Sequence, residues 1–598
     1  MDNTTIYTQR ITRLEEDLRL LKRRKNTISW IRFIITIVAA VVAWQLKDNG
    51  WQYIIMPIVI WLAVFLRLVV LAVKNNAAIS HHQRLVAINQ QEIEIAKGHY
   101  TNLPDGSQFK LQVHDYANDL DIFGRASIYQ YINRTTSEQG NKFLADKLLH
   151  PSAVNDILQI QQAAKELAPA YEWRQELQAH GMESPITLAT QEKIATWLRE
   201  PFSFSTNKGW QLMRIIFPLI SLSTLVLHIV GIISSPLFYA LVILYLLISG
   251  GITKKVTAQY LSLNKIVGQV TTLSNSLETI EKLTPKTHLL QAIKAYFVGP
   301  TFRSSAEVRR LKSILDKFDI RLNPVVFLPL NAFLLWDLQL IFQLEKWKQK
   351  NQSNVNNWFD KLGEIEFLNT IGNLHFNQPQ WAFASFVEAH GHLEAIDLGH
   401  PLIEKKKRVD SNFEIHGTPQ LALITGSNMA GKSTFLRSVG TNIVLAMMGA
   451  PVCASSFALS PMRVISTMRI ADNLEESTST FYAELKKLQY IIEAVNRKEK
   501  VFLLFDEILR GTNSADRHLG SAALIRQLMH HDAIGILATH DLELTKLTGE
   551  FPQSIRNYHF DMQLKNGSEL FFDYKLKEGI CESMNAAILM KMIGIEFS

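Results

Sequence analysis

The sequence predicts a multidomain chain: α-helical membrane hairpins and a helical core and lever-like region, followed by a C-terminal α/β domain. Three observations carry this. Two pairs of long apolar stretches sit at Ile28–Val73 and Arg214–Ile252. The segments 99–200 and 256–395 are poor in glycine and space apolar residues at three and four, as helices do. From about Leu421 short apolar runs alternate with helical stretches.

At 598 residues the chain exceeds what one hydrophobic core holds. Hydrophobic residues make up 47% and charged residues 20%, so any membrane part is a minority. The formal charge of +7 favours anionic partners without choosing between nucleic acid and an anionic bilayer. Two cysteines, Cys453 and Cys581, form neither a disulfide framework nor a zinc-ligand spacing.

The first apolar stretch, Ile28–Leu46, follows a basic helical segment rich in Arg and Lys. The polar link Lys47-Asp48-Asn49-Gly50 leads into Trp51–Val73. At ~1.5 Å per residue, such stretches span a ~30 Å hydrocarbon core. No small-residue cleavage site follows the first, so it does not read as a signal peptide. The second pair, Arg214–Ile233 and Leu237–Ile252, is joined by Ser234-Ser235-Pro236, and its last member is short for a full span. Lysines and arginines collect outside the two links, at Arg10–Lys25, Lys74, Lys208 and Lys254-Lys255. That places the termini and the middle of the chain in the cytoplasm, with four spans in the inner (cytoplasmic) membrane. A fifth run, Val325–Phe342, contains Pro329, Asn331 and Asp337 and reads as a buried helix. A single further span would put the later segments on the opposite face. The expected divisions are 1–98, 99–208, 209–255, 256–398 and 399–598.

The chemistry lies in the last of these. The apolar strand Leu421–Thr425 runs into Gly426-Ser427-Asn428-Met429-Ala430-Gly431-Lys432-Ser433-Thr434 and then a helix. This is G-x-x-x-x-G-K-S in strand–loop–helix context. Glycines let backbone N–H groups face phosphates, and the helix N-terminus adds its dipole. Lys432 suits the β- and γ-phosphates, and the Ser433 hydroxyl suits Mg²⁺. A second strand, Val501–Phe505, ends in Asp506-Glu507: Asp506 for the Mg²⁺ shell, Glu507 to polarise water. A third, Ile534–Ala538, ends in Thr539-His540-Asp541, with His540 suited to the γ-phosphate or the water. ATP and Mg²⁺ are the implied ligands, and Lys432, Glu507 and His540 the catalytic set.

Together these segments resemble the ATPase domain of the MutS mismatch-repair family, a branch of the ABC ATPases. Ile424–Thr434 differs from the family's ITGPNMGGKST only at Ser427 and Ala430. Asp506–Thr512 resembles DEIGRGT, Ala538-Thr539-His540 matches ATH, and Gly399-His400-Pro401 resembles the His-Pro upstream of that domain. Ser479–Glu484, after Ala471-Asp472-Asn473-Leu474, is similar to the signature STFMVEM. The resemblance implies that Ser479 contacts the γ-phosphate held by a second copy, hence a homodimer with composite sites. It also implies that His559, in Asn557-Tyr558-His559, lies near the adenine. It covers about 395–598, with a weaker likeness from Thr136 to Pro151.

The departures shape the expected function. Residues 1–98 read as membrane hairpin where the family carries a mismatch-reading domain. Phe386-Val387-Glu388 has the letters of the family's wedge but sits just before the ATPase segment. The chain ends without the family's C-terminal helix-turn-helix, and Ser477-Thr478 replace a glycine near the signature serine. The reading is a membrane-anchored MutS-like ATPase that couples a dimeric site to DNA, without mismatch specificity. The alternative is an ATP-driven membrane transducer with no nucleic-acid substrate. Few polar residues in the spans argue against a transport path, and the intact Lys432, Asp506, Glu507 and His540 argue against an inert scaffold.

Overall fold

A computed structural model describes residues 3–264, 266–427, 430–468, 480–565 and 569–581. The first half is helical. α1 (Asn3–Gln45) and α2 (Trp51–Ala96) pack along each other as a hairpin. The turn closes through Gly50, whose φ of +100° suits glycine. Then come α3 (Ile128–Ile132), α4 (Glu138–Leu149), α5 (Val154–Leu167), α6 (Tyr171–Gly181) and α7 (Leu188–Arg199). A second hairpin follows, α8 (Lys208–Ile229) and α9 (Ser235–Asn264). The helical part ends with α10 (Val267–Lys282), α11 (His288–Ala295), α12 (Ser304–Phe318), α13 (Pro324–Leu334), α14 (Trp336–Asn351) and α15 (Val355–Asn377).

Among the described residues, four helices are long and apolar enough to cross a membrane, in α1, α2, α8 and α9. Their apolar stretches are almost wholly outside the protein core; Trp30, Val38, Val59, Leu219 and Ile243 are all exposed. The fourth is longer than its composition suggested: α9 runs 30 residues, because the helix continues past Lys254-Lys255. The run Val325–Phe342 is not one buried helix. It is two, α13 and α14, bent by 79°. Leu335 at the break has a φ of +48°, and Val325, Val326 and Leu328 on α13 are exposed. Only α14 goes into the core, with Leu338, Leu340, Ile341 and Trp347 buried.

The polar halves of α1 and α2 are fastened to the helical core. Glu92, near the end of α2, is buried with Arg134, whose Nε donates to its Oε1 at 2.5 Å. Asn373 and Asn377 of α15 donate to the same carboxylate at 3.1 and 2.8 Å. Tyr7 of α1 donates to Asn377 at 2.7 Å. One carboxylate thus joins α2, α15 and the segment before α4, and reaches α1 through Asn377. A second buried acid, Glu366 of α15, accepts from Thr136 and Ser137 at the start of α4.

Strands begin at Ala382, upstream of Leu421. β1 (Ala382–Phe383), β2 (Ser385–Phe386), β3 (His392–Leu398) and β4 (Ser411–His416) precede β5 (Gln420–Thr425) and α16 (Lys432–Met447). After them come β6 (Pro451–Val452), β7 (Ser456–Leu459), β8 (Arg463–Thr467), α17 (Thr480–Asn496) and β9 (Val501–Asp506). The last elements are α18 (Ser514–His530), β10 (Ile534–Ala538), β11 (Ile555–Lys565) and β12 (Glu569–Glu578). The main sheet has the order β12-β11-β5-β10-β9-β8, parallel except for β12. A smaller sheet, β2-β7-β3-β4, lies beside it.

The central strands β5, β9 and β10 are buried throughout, as a parallel sheet covered on both faces requires. Ala422, Ile424, Phe502, Leu504 and Ile536 share a core with α16. Their neighbours Leu421, Leu423, Leu503, Phe505 and Leu537 share another with α17 and α18. The period-two alternation of strands sorts the residues between the two cores.

Removing one partner of a buried ion pair strands the other, at a cost of about 3–5 kcal/mol. Glu92→Ala is therefore expected to lower the stability of the solubilised chain by that order, read by denaturant unfolding. An unchanged midpoint would show that the carboxylate does not hold the α1–α2 hairpin to α15. Burial opposes the Glu92 charge, but Arg134, Asn377 and Arg174 overcome it and hold its carboxyl below the usual range. This stabilisation is present above the unfolded carboxyl range and is lost as pH falls through the lower folded value.

Candidate active site

The parallel register brings three strand ends to one edge. Ala538 of β10 lies opposite Ile424 of β5 on one side and Asp506 of β9 on the other. The backbone N–H of Glu507 donates to the Ala538 carbonyl at 3.0 Å, and that of Thr539 to the Ile424 carbonyl at 2.9 Å. This is the carboxyl edge of the sheet, where open α/β folds bind ligands.

After β5 the chain turns through Gly426, with a φ of +140°; a Cβ there would lie 2.8 Å from the Phe560 carbonyl oxygen. The loop residues Asn428 and Met429 lie outside the described residues. Ser427 has a buried hydroxyl with no partner among the described residues, and its carbonyl accepts from the N–H of buried Ala430 at 3.2 Å. Gly431, with a φ of +107°, precedes α16. Lys432 is the first residue of that helix and Thr434 lies in its first turn.

The Lys432 ammonium turns back over the loop and donates to the carbonyls of Gly426 at 2.7 Å and Ser427 at 3.0 Å. It also lies 3.3 Å from His540 Nε2. Burial pulls its pKa down to about 8, against the pull of Glu507 and Asp506. The Ser433 hydroxyl donates to Asp506 Oδ2 at 2.6 Å, so two oxygen donors of the kind a hard cation takes stand together. Glu507 sits 2.5 Å from His540 Nε2. That hydrogen bond, with the nearby charges of Arg510, His540 and Lys432, holds its carboxyl below the usual range despite partial burial. Glu507 has a φ of +54° and Leu509 one of +58°. Such backbone in ordinary residues stores strain and collects at functional sites.

The structure thus brings together Gly426, Ser427, Ala430, Gly431, Lys432, Ser433, Thr434, Asp506, Glu507 and His540. His559 is on β11 opposite Thr425, 3.3 Å from Asp561. Ser479 and the segment 469–478 lie outside the described residues.

Three site residues escaped the sequence argument, though each sits in a segment that it quoted. Arg510 pairs with Glu507 at 3.1 Å and donates to the Asp506 carbonyl at 3.0 Å. Glu484 is buried and accepts the Leu509 N–H at 2.5 Å, which fixes the bend just after Asp506 and Glu507. Burial pushes its carboxyl up, against the N–H groups of Leu509, Arg510 and Gly511. His400 lines a cavity of about 250 Å³ beside Gly431, with Lys407, Arg408, Phe435, Phe560 and Tyr574. Burial, with Arg437 and Arg408 nearby, lowers its pKa to about 4, so it is a neutral lining group.

Residues 422–595 match the family model of MutS domain V. MutS protein homolog 4 of Homo sapiens is 33% identical over 196 residues, which cover 31% of this chain and 20% of that protein. DNA mismatch repair protein MutS of Natronomonas pharaonis is 34% identical over 205 residues, 33% of this chain and 23% of that protein. DNA mismatch repair protein MutS of Bacillus subtilis is 32% identical over 231 residues, 37% and 25%. The matched part of the chain spans about a fifth to a quarter of these relatives' length. These matches support the MutS family, and with it an ATPase ancestry, for the C-terminal α/β part of this chain.

Proposed function

We propose that this chain is a Mg²⁺-dependent ATPase of MutS type that works as a homodimer, held by four apolar helices at the cytoplasmic face of a membrane and coupled to DNA. One observation carries the enzymatic part: at the carboxyl edge of a parallel sheet Lys432 and Glu507 both meet His540, and Ser433 meets Asp506, each within hydrogen-bonding distance.

In this reading the loop N–H groups and the start of α16 cradle the phosphates of ATP. The Lys432 ammonium leaves the Gly426 and Ser427 carbonyls to meet the β- and γ-phosphate charge. Ser433 and Asp506 would hold Mg²⁺, which when bound would neutralise phosphate charge. Glu507, kept ionised by His540 and Arg510, orients and polarises the attacking water. His540 lies between Glu507 and Lys432 and can hydrogen-bond the γ-phosphate or the water. Phosphoryl transfer needs mainly positioning and charge neutralisation, and these groups supply both. The cavity beside Gly431, with Phe435 and Phe560, has the size and apolar walls for a nucleoside, and His559 lies on the strand that carries Phe560. Ser479 of a second copy would complete the site.

DNA coupling is supported by the MutS match and by the +7 charge. A second reading, a membrane transducer without nucleic acid, has one observation in its favour. α2 is a single helix of 46 residues that runs from an apolar stretch to the buried Glu92 junction. It could carry motion as a rod.

ATP turnover of the solubilised chain, measured with duplex and branched DNA at two salt concentrations, separates the two. Stimulation that falls steeply with salt is expected for DNA coupling. Turnover indifferent to every nucleic acid would leave the transducer. In either case Glu507→Gln is expected to cut turnover by about 100-fold or more while ATP binding persists. A fully active variant would remove Glu507 from the mechanism.

Lys432 gives a second expectation. Burial sets its pKa at about 8, and a bound triphosphate would favour the charged ammonium and raise it. Binding at pH 8 should therefore take up a fraction of a proton, and affinity should fall as pH rises above 8. Calorimetry in two buffers of different ionisation enthalpy reads the uptake. Lys432→Arg, always charged, should abolish it; equal uptake in the variant would assign the proton elsewhere.

A further inference from the structure

The elbow formed by α13 and α14 has no part in the nucleotide site. From Pro324 to Leu334, α13 carries no charged side chain. Eleven residues at ~1.5 Å each reach about half of a ~30 Å hydrocarbon core, so α13 cannot cross a bilayer. Its first half is bare: Leu322, just before it, and Val325 are each 83% exposed. Its second half is packed against both helices of the second apolar hairpin, α8 and α9. The outward residues of those helices, among them Leu219, Ile220 and Ile243, are apolar and exposed as well.

The elbow is also built for a dry environment. Broken backbone is tolerated at membrane depth only where its polar groups find partners. At this break Ser221 of α8 donates to the Phe333 carbonyl at 2.6 Å. The Leu335 N–H donates to the Asn331 carbonyl at 3.1 Å, and the Asp337 N–H to the Asn331 side chain at 3.3 Å. The charges on either side of α13 meet each other: Arg321 Nε donates to buried Asp337 at 2.8 Å. Thr253 of α9 donates to the same carboxylate at 2.7 Å and accepts from Asn331 at 2.9 Å.

We infer that α13 is a half-length helix embedded in the acyl region of the bilayer that α8 and α9 enter, leaving again on the face from which it came. This rests on the membrane reading proposed above. The 79° bend returns the chain as α14, whose apolar residues go into the helical core rather than the lipid. The nucleotide-site segments then stay on the same face as the residues before α13.

The test places a polarity-sensitive fluorophore on single added cysteines in the full chain. Val325→Cys probes α13, Val59→Cys the first hairpin, and Val113→Cys an exposed site outside the apolar helices. Cys453 and Cys581 are buried, and the native chain labelled in parallel sets the background. Retained ATP turnover verifies that each variant is folded. Each is reconstituted into vesicles with and without brominated acyl chains. Loss of emission in brominated vesicles at Val325 and Val59, but not at Val113, is the expected result. Quenching at Val59 without quenching at Val325 overturns the inference and leaves the membrane reading standing. Quenching at neither overturns both. Disulfide formation between copies at Val325, without quenching, assigns the face to a second copy and also overturns it.

Discussion

The geometry of the candidate site depends on the register of one short strand. β10 is five residues long, and its last, Ala538, pairs with Ile424 and Asp506 at once. Lys432 and the carboxylates of Asp506 and Glu507 come from segments more than 70 residues apart. Their spacing is set by the hydrogen-bond ladder on either side of this strand. A one-residue slip would turn every side chain of β10 to the opposite core. The two cores resist that, since Ile536 and Leu537 belong to different ones. Gly535 resists it too, because a Cβ there would lie 2.3 Å from the Leu503 carbonyl oxygen.

The same sheet is clamped to the helical half from its other edge. The segment 114–119, ahead of α3, lies along β8 and α17. Asp115 pairs with Arg463, and Asp119 accepts from Ser466 at 2.7 Å and from the Met468 N–H at 3.2 Å. Lys487 of α17 donates to the carbonyls of His114 and Asp115. Both groups of contacts flank the segment 469–479, at the two ends where the chain enters and leaves it. From there α4 and α5 lead to α15, and α15 to Glu92 and the apolar hairpin. Two of these joints are buried polar contacts, Glu366 with Thr136 and Ser137, and Glu92 with Arg134, Asn373 and Asn377.

Much of the site was legible in the sequence because its chemistry is local. Gly426–Thr434 is one loop, and Asp506-Glu507 and His540 each follow an apolar run, so residue type and order identified them without a fold. Arg510 and Glu484 were harder. Their roles depend on a backbone turn with positive φ at Glu507 and Leu509, which no spacing rule announces. Glu484 lies on a helix, and only the folded chain shows its carboxylate under the N–H groups of the next loop. The early strands were missed for a different reason. β3 alternates buried and exposed residues over just seven positions and carries a register shift after Ala395, so its period fades into loop.

The run Val325–Phe342 shows where hydropathy alone fails. Its average apolarity allows one helix, buried or spanning, and parity of the chain's crossings argued for a buried one. Parity of crossings does not require burial: it requires only that the chain come back to the same face. A left-handed residue at Leu335 bends the helix, and Asn331, Thr253, Asp337 and Ser221 supply the partners that the bend needs. Inside one unbroken buried helix Asn331 and Asp337, the two of these that lie in the run, would be a costly choice of side chain. At a bend beside two apolar helices they are what the geometry demands, and the polar residues that weakened the case for a membrane span are the ones that make a half-length insertion physically consistent.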